Sequence, residues 1–371
     1  MKTIAFFNNK GGVGKTTLTY HIAYALSELD HQTLLVDLDP QSNLTLFSMS
    51  AEELHDVWKK EDSFIDDFER ARKKTPPGDF LELMNHPRSA HFLLKPIEDG
   101  TAEIDDLVRP IQINERLDMI PGRLTLHKYE NKIAARWSEV YQGDPLAIRT
   151  ITQIRQLCSN YAEKWNYEFV LLDTSSSLGI LNKVIISTAD AFIVPCMPDM
   201  FSLHGIKNIG SALTEWKREF DTMYNILSDD KFSEKRCYFP EHFVGFLGFT
   251  IFNAKEYEGT KNDLNLAQAH FNYAQEIPMT IKEHIAEEMR SALSLETITK
   301  SIGGKAVIHS HSTLPNMAQK YQCPIWKVPD CDRIDKEDKS TISGNKERYK
   351  STQEKYHYFA QDLLNRLEKL K

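Results

Sequence analysis

Asn8-Asn9-Lys10-Gly11-Gly12-Val13-Gly14-Lys15-Thr16-Thr17 is the stretch of this 371-residue chain whose residue types and spacing can do chemistry. An apolar run, Ile4 to Phe7, precedes it, and a helix-patterned segment follows. A glycine-rich turn between a strand and a helix lets backbone N–H groups converge on an anion, and the helix N-terminus adds the positive end of its dipole. Residues Gly11, Gly12, Val13, Gly14, Lys15, Thr16 and Thr17 would form such a cradle. At this spacing Lys15 reaches the β- and γ-phosphates of a nucleotide, and the Thr16 hydroxyl reaches Mg²⁺. The usual phosphate-loop pattern starts with a glycine where this chain has Asn9, and an extra lysine, Lys10, follows it.

Three acids close apolar runs and complete a nucleotide site on paper: Asp37, Asp39 and Asp173. Phosphoryl transfer needs a metal, positive charge on the terminal phosphate and a positioned water. Asp173 ends the uninterrupted run Phe169-Val170-Leu171-Leu172 and suits a metal-holding role, with Asp37 placed similarly. Asp39 is placed to orient the attacking water. A single aspartate at a strand end is ordinarily a helix cap or turn residue. Three of them beside a phosphate loop favour the chemical role.

The elements that must position these residues are legible as strand, loop, helix, strand. Thr3–Phe7 reads as a buried parallel strand. Leu18, Ile22, Ala25, Leu26 and Leu29 recur at helical spacing after Lys15, and Thr33–Val36 is a second strand. A βαβ unit implies a parallel sheet with right-handed crossovers. Further strands are expected at Leu117–Pro121, Phe169–Asp173, Ala191–Pro195, Val244–Phe252 and Pro324–Val328. Helices are expected at Ala147–Trp165 and, from Tyr356, Phe359, Leu363, Leu367 and Leu370, at the C-terminus. Residues 48–115 are dense in charge and broken by Pro76-Pro77-Gly78, and read as short helices and loops. Residues 330–350 read as an exposed loop.

Composition bounds the class. Hydrophobic residues make up 41% and charged residues 26%, ordinary for a globular chain. No apolar run approaches the ~18 residues that cross a bilayer, and the start of the chain reads as a strand rather than a leader. The five cysteines, Cys158, Cys196, Cys237, Cys323 and Cys331, contain no C-x-x-C pair, so neither a disulfide framework nor a zinc site is expected. These features fit a reducing cytoplasm. Net charge is −8 and uneven: residues 290–371 carry +5, the rest −13. The whole chain is therefore not drawn to nucleic acid. Arg290, Lys300, Lys305 and Lys320 are the candidate basic patch. His309, His311 and Ser312 lie close in sequence but lack metal-ligand spacing and read as polar loop groups.

Taken together, residues 10–17, Asp37-Leu38-Asp39-Pro40-Gln41-Ser42-Asn43, Met119-Ile120-Pro121-Gly122, the run from Phe169 to Gly179, Val194 to Gly205, and Leu247-Gly248-Phe249 leading to Asn253 resemble the ParA/MinD family of deviant Walker ATPases, the ParA branch in particular. The resemblance covers about 1–48 and 112–255. It implies an α/β P-loop NTPase fold, with a mostly parallel twisted sheet flanked by helices on both faces. It implies one ATPase domain over 1–371, with a mostly helical insertion at about 48–115 and a variable region at about 290–371 ending in a helix. ATP and Mg²⁺ are the implied cofactors. Lys10 matches a signature lysine that crosses an ATP-sandwich homodimer to the partner's phosphates. Lys15 and Thr16 match phosphate and Mg²⁺ residues, Asp37 and Asp173 acids of the metal shell, Asp39 the acid that positions water, and Asn253 an asparagine on the adenine.

The family alternates between monomers and ATP dimers. The dimer binds DNA non-specifically, as in DNA partition, or membrane in the MinD branch, and an activator protein stimulates slow hydrolysis. No membrane is expected here; the implied setting is cytoplasmic, with nucleoid association in the ParA branch. The family's two prolines after the metal-shell acid are Ser175 and Ser176 here, which suggests a more mobile loop. The helix-turn-helix extension of some plasmid partition members has no counterpart before the first strand. Two alternatives follow: an ATP-switched regulatory or defence-complex protein that binds no DNA, and a fold-related amide-forming ligase. An iron protein is disfavoured because no cysteine lies between Thr16 and Leu157.

Overall fold

The computed structural model describes residues 1–101, 106–228, 239–257, 261–290 and 293–370. Cys237 lies outside them. The chain opens with β1 (Lys2–Phe6), α1 (Lys15–Glu28) and β2 (Thr33–Asp37). Four helices follow, α2 (Ala51–Asp66), α3 (Phe68–Lys74), α4 (Pro77–Met84) and α5 (Ala90–Asp99), then β3 (Ile111–Asn114) and β4 (Leu117–Ile120). Next come α6 (His127–Val140), α7 (Pro145–Trp165), β5 (Phe169–Asp173), α8 (Ile180–Thr188), β6 (Ala191–Cys196), α9 (Met200–Leu227) and β7 (Gly245–Ile251). The last part is helical: α10 (Gln268–His284), α11 (Glu287–Arg290), α12 (Leu295–Thr299), α13 (Leu314–Lys320), α14 (Lys339–Gly344) and α15 (Lys346–Leu367).

Among the described residues the strands form one sheet in the order β3-β4-β2-β5-β1-β6-β7. Every pairing is parallel except β3 with β4. Both faces are buried, and the period-2 alternation of strand side chains divides the core. Ile4 and Phe6, Leu35, and Phe169 and Leu171 point to one face, where they meet Leu18 and Ile22 of α1 and Tyr356 and Phe359 of α15. Ala5, Leu34 and Val36, and Val170 and Leu172 point to the other, against α5 to α10. Helices on both faces of a mostly parallel sheet are what the sequence predicts.

Three expectations need correction. Pro324–Val328 is not a strand; Ile325–Asp330 is a 3₁₀ helix. Pro324 and Pro329 carry no ladder donors, and Ile325, Trp326 and Val328 bury against α1 and α15 instead. Residues 330–350 are not simply a loop, since they contain α14 and the start of α15, in which Ile342 and Tyr349 are buried. Residues 111–114, read as part of a helical and loop region, form the antiparallel edge strand β3, with Ile111 and Ile113 half-buried.

His311 also departs from its reading as a polar loop group. It is 7% exposed, hydrogen-bonds the Tyr356 hydroxyl at 3.1 Å and stands beside the Phe252 ring. His21 of α1 is fully buried against Tyr356 and Trp326. Its Nδ1 donates to the Thr17 carbonyl (2.6 Å) and its Nε2 accepts the Ile325 N–H (3.1 Å), which fixes the tautomer. Burial pushes the His21 imidazole down to about 3 and that of His311 to about 4. Unfolded histidine titrates near ~6.5. Each ring therefore contributes stability that is fully present above that pH and is lost as pH falls toward its folded value, by about 1.4 kcal/mol per pH unit. The expected NMR result is that the His21 ring stays neutral, protonated at Nδ1, down to pH 5. A midpoint near the unfolded value would contradict this packing.

The described cysteines, Cys158, Cys196, Cys323 and Cys331, are free thiols, although the last two sulfurs approach to 3.4 Å. No helix among the described residues is long and apolar enough to cross a membrane.

Candidate functional site

The loop after β1 is held by its own asparagine. Asn8 Nδ2 donates to the Pro195 carbonyl (2.6 Å) and its Oδ1 accepts the Lys10 N–H (3.0 Å), so the loop is tied to β6 on the far side of β1. Gly12 and Gly14 adopt φ values of 74° and 80°, the left-handed region that glycine enters without strain. Gly14 is also the N-cap of α1. A Cβ there would lie 1.9 Å from the Phe252 ring, so only glycine fits. Val13 is fully buried beneath the turn.

The loop opens onto a cavity of about 550 Å³. Gly11, Gly12, Gly14, Lys15, Thr16, Thr17 and Asp39 all line it. The Lys15 ammonium is 7% exposed as a residue and donates to Ser176 Oγ (2.6 Å). Burial lowers its pKa, against the opposing attraction of Asp173 and Asp39.

The acids converge because β2 and β5 are neighbours in register, with Asp37 paired to Asp173. Both are fully buried. Burial raises the Asp37 carboxyl to about 7, and burial together with the Asp37 charge raises that of Asp173 well above the usual range. Their hydrogen bonding differs. Asp37 Oδ2 accepts from the Thr45 N–H (2.9 Å) and hydroxyl (2.6 Å), and Oδ1 from the Asp39 N–H (3.3 Å). Neither Asp173 oxygen has a hydrogen bond of acceptable geometry, although the Thr16 hydroxyl lies near enough to favour its charged form. A buried carboxylate with open lone pairs beside a threonine hydroxyl is a donor set that fits a hard dication. Among the described residues no cluster of three or more His, Cys, Asp or Glu forms a cage of its own. Mg²⁺ takes one or two carboxylates and completes its shell with phosphates and water. Asp39, at the cavity wall, accepts the Gln41 N–H (2.9 Å).

Lys10 is placed differently. It is not among the cavity's lining residues; its ammonium pairs with Asp199, the N-cap of α9, 5.8 Å from the centre of the Phe201 ring. Asn253 follows β7 with φ 60° and also does not line the cavity. Pro315, Asn316 and Gln319 of α13 do, with Gln41, Asn43, Phe47, Ser175 and Ser176. Gln41 and Asn43 could have been found from the motif that contains Asp37 and Asp39. The α13 residues carry no local signal.

The serine loop after Asp173, which the two serines suggest is mobile, is tied by hydrogen bonds at its start and from α8. Asn182 of α8, fully buried, donates through Nδ2 to the carbonyls of Ser175 (3.0 Å) and Ser177 (2.7 Å). The Thr174 hydroxyl anchors the start of the loop to the Phe6 carbonyl (2.8 Å).

Three lysines of the candidate basic patch stand beside acids, and its arginine bonds a backbone carbonyl. Lys300 pairs with Glu296 (2.6 Å), and Lys320 with Asp335 (2.6 Å) and Asp338 (2.7 Å). Lys305 pairs with Asp263, and Arg290 Nε donates to the Ile285 carbonyl.

Comparison with known proteins bears on family and fold. The AAA_31 family model, described as an AAA domain, matches residues 1–226. The uncharacterized protein MJECL24 of Methanocaldococcus jannaschii is 28% identical over 217 residues, 58% of this chain and 67% of that one. ParA family protein MG470 of Mycoplasma genitalium is 26% identical over 231 residues (62% and 70%). The sporulation initiation inhibitor protein Soj of Bacillus subtilis is 25% identical over 221 residues (60% and 68%). Among solved structures, protein DIP2308 of Corynebacterium diphtheriae superposes with a TM-score of 0.57 at 22% identity, covering 81% of this chain and 96% of that one. The pNOB8 ParA structure superposes with a TM-score of 0.51 at 18% identity, covering 99% and 98%. These structural likenesses concern the fold alone. With the profile match spanning more than half its length, the chain belongs to the AAA_31 family, as a ParA/MinD-type P-loop ATPase.

Proposed function

We propose that this protein is an ATP-hydrolysing positioning switch of the ParA kind, used in DNA partition or the placement of another cargo. The observation that carries this reading is the division of labour between two lysines. Lys15 points into the phosphate cavity, while Lys10 stands outside it on a surface with exposed Met200 (46%) and Phe201 (65%). A cation that turns away from its own subunit's cavity fits service to a second subunit's nucleotide.

In this reading the loop amides, Lys15 and Thr17 bind the phosphates, and Asn253 takes part on the adenine side. Thr16 and Asp173 would hold Mg²⁺, backed by Asp37; the ion supplies charge neutralisation on the phosphates when bound. Asp39 orients water, and Lys10 of each subunit completes the other's site in an ATP homodimer. Hydrolysis, slow alone and quickened by an activator protein, ends the dimer. The whole chain acts as one ATPase domain, with the helical segment at about 48–115 and the region from about 290 adapted to a partner.

The pairing of Lys300, Lys305 and Lys320 with acids favours a second reading for the output, in which the ATP form engages a protein rather than DNA. Co-sedimentation with non-specific DNA at low salt, with and without an ATP analogue, separates the two. ATP-dependent, salt-sensitive DNA binding supports the partition reading; an ATP-bound protein with no DNA affinity at low salt overturns it. Phosphate release from ATP–Mg²⁺ without any small-molecule acceptor tests the enzymatic claim against a ligase.

A further inference from the structure

We propose that Ser176 distinguishes a nucleoside triphosphate from a diphosphate in this site. The proposal rests on the ATP reading above and adds a residue to it.

The Lys15 ammonium donates to Ser176 Oγ at 2.6 Å inside the cavity. The same oxygen lies 3.9 Å from the position of a Cβ on Gly11, so the hydroxyl stands over the first glycine of the loop. A phosphate loop cradles the α- and β-phosphates with its amides, and its lysine reaches outward to β and γ. A group bonded to that lysine therefore sits at the distal end of the phosphate chain. Serine has one donor and two acceptor lone pairs. Lys15 occupies a lone pair, and among the described residues no acceptor takes the hydroxyl hydrogen. It is free to donate to a phosphate oxygen while Lys15 turns to that phosphate.

Selectivity needs the hydroxyl held in place. Thr174 fixes the loop to β1 on one side, and Asn182 grips the carbonyls on both sides of Ser176 from α8. Glu130 of α6 adds a carboxylate oxygen to the Leu181 N–H at 3.3 Å. Without the terminal phosphate, Ser176 remains the partner of Lys15. When that phosphate arrives, both exchange this contact for one with the ligand. A diphosphate does not reach Ser176. Ser176 is thus a positioning and specificity residue.

The test compares affinities for a slowly hydrolysed ATP analogue with Mg²⁺ and for ADP with Mg²⁺, by titration calorimetry on the full chain. Wild type, Ser176→Ala and Ser176→Thr are measured, with thermal melts to confirm folding. Ser176→Ala is expected to weaken the ATP analogue about tenfold, as loss of a hydrogen bond to a charged group does, and to change ADP less than about twofold. Ser176→Thr keeps the hydroxyl and is expected to retain the wild-type ratio. An unchanged ratio in a folded Ser176→Ala overturns the proposal and leaves the ATP reading standing. A wild type that binds neither nucleotide overturns the ATP reading itself.

Discussion

Gly14→Ala is expected to abolish nucleotide binding, with affinity for an ATP analogue falling by more than about a hundredfold, because two penalties coincide. The residue sits at φ 80°, where an L side chain costs about 1–2 kcal/mol. The new methyl would also fall 1.9 Å and 2.1 Å from two carbons of the Phe252 ring. Phe252 has little freedom to give way, being 4% exposed with its N–H bonded to the Cys196 carbonyl (2.8 Å). Overpacking of this kind costs about 1–3 kcal/mol more. The turn or the ring must move, and this residue caps α1. Gly12→Ala is the matched control. It has nearly the same backbone strain, φ 74°, but nothing lies within 4 Å of its Cβ. Calorimetric titration should show a much milder loss for Gly12→Ala. Equal losses in the two variants would mean that the Phe252 contact does not shape the loop.

Asp39→Ala is expected to lower the rate of ATP hydrolysis by about 10²–10⁴-fold, the usual contribution of a group that handles the attacking water's proton or orientation. Binding should survive. Asp39 lines the cavity but leaves the Lys15–Ser176 contact and the paired Asp37 and Asp173 in place. Its removal takes a negative charge away from the phosphates, so affinity for ATP should hold or rise. The ATP-bound form should then accumulate. Single-turnover hydrolysis beside equilibrium binding separates the two effects; a rate within tenfold of wild type would remove Asp39 from the chemistry.

The legible parts of this molecule are those that local sequence encodes. β1, β2, β5 and β6 are continuous apolar runs because parallel strands bury both faces. The loop and the three acids are contiguous with those runs, so their meeting at the carboxyl end of the sheet follows once the strands are parallel. Pro324–Val328 has the same apolar look as a strand, and a short apolar run does not reveal its period. Only its burial between α1 and α15 shows it to be a 3₁₀ turn. Pro315, Asn316 and Gln319 reach the cavity through tertiary packing, some 300 residues from the loop. Ser175 and Ser176 stand out as a departure from a familiar pattern. Their setting depends on Asn182, whose buried amide bonds the carbonyls of Ser175 and Ser177, where proline would restrain the chain by its ring.

The central claim is that nucleotide sets the assembly state through Lys10. In the single chain Lys10 is ion-paired to Asp199, outside its own cavity. Exposed Leu124, Leu178, Met200 and Phe201 follow the carboxyl ends of β4, β5 and β6, the end of the sheet from which the phosphate loop also leaves. Exposed apolar side chains at the end of the sheet that holds the charged site suit a second copy of the chain. The decisive measurement is light scattering of the full chain with Mg²⁺ and either ADP or a slowly hydrolysed ATP analogue, for wild type and Lys10→Ala. The account predicts twice the monomer mass for wild type with the analogue, and monomers with ADP and for Lys10→Ala. Monomers throughout, with the analogue bound at normal affinity, would contradict it.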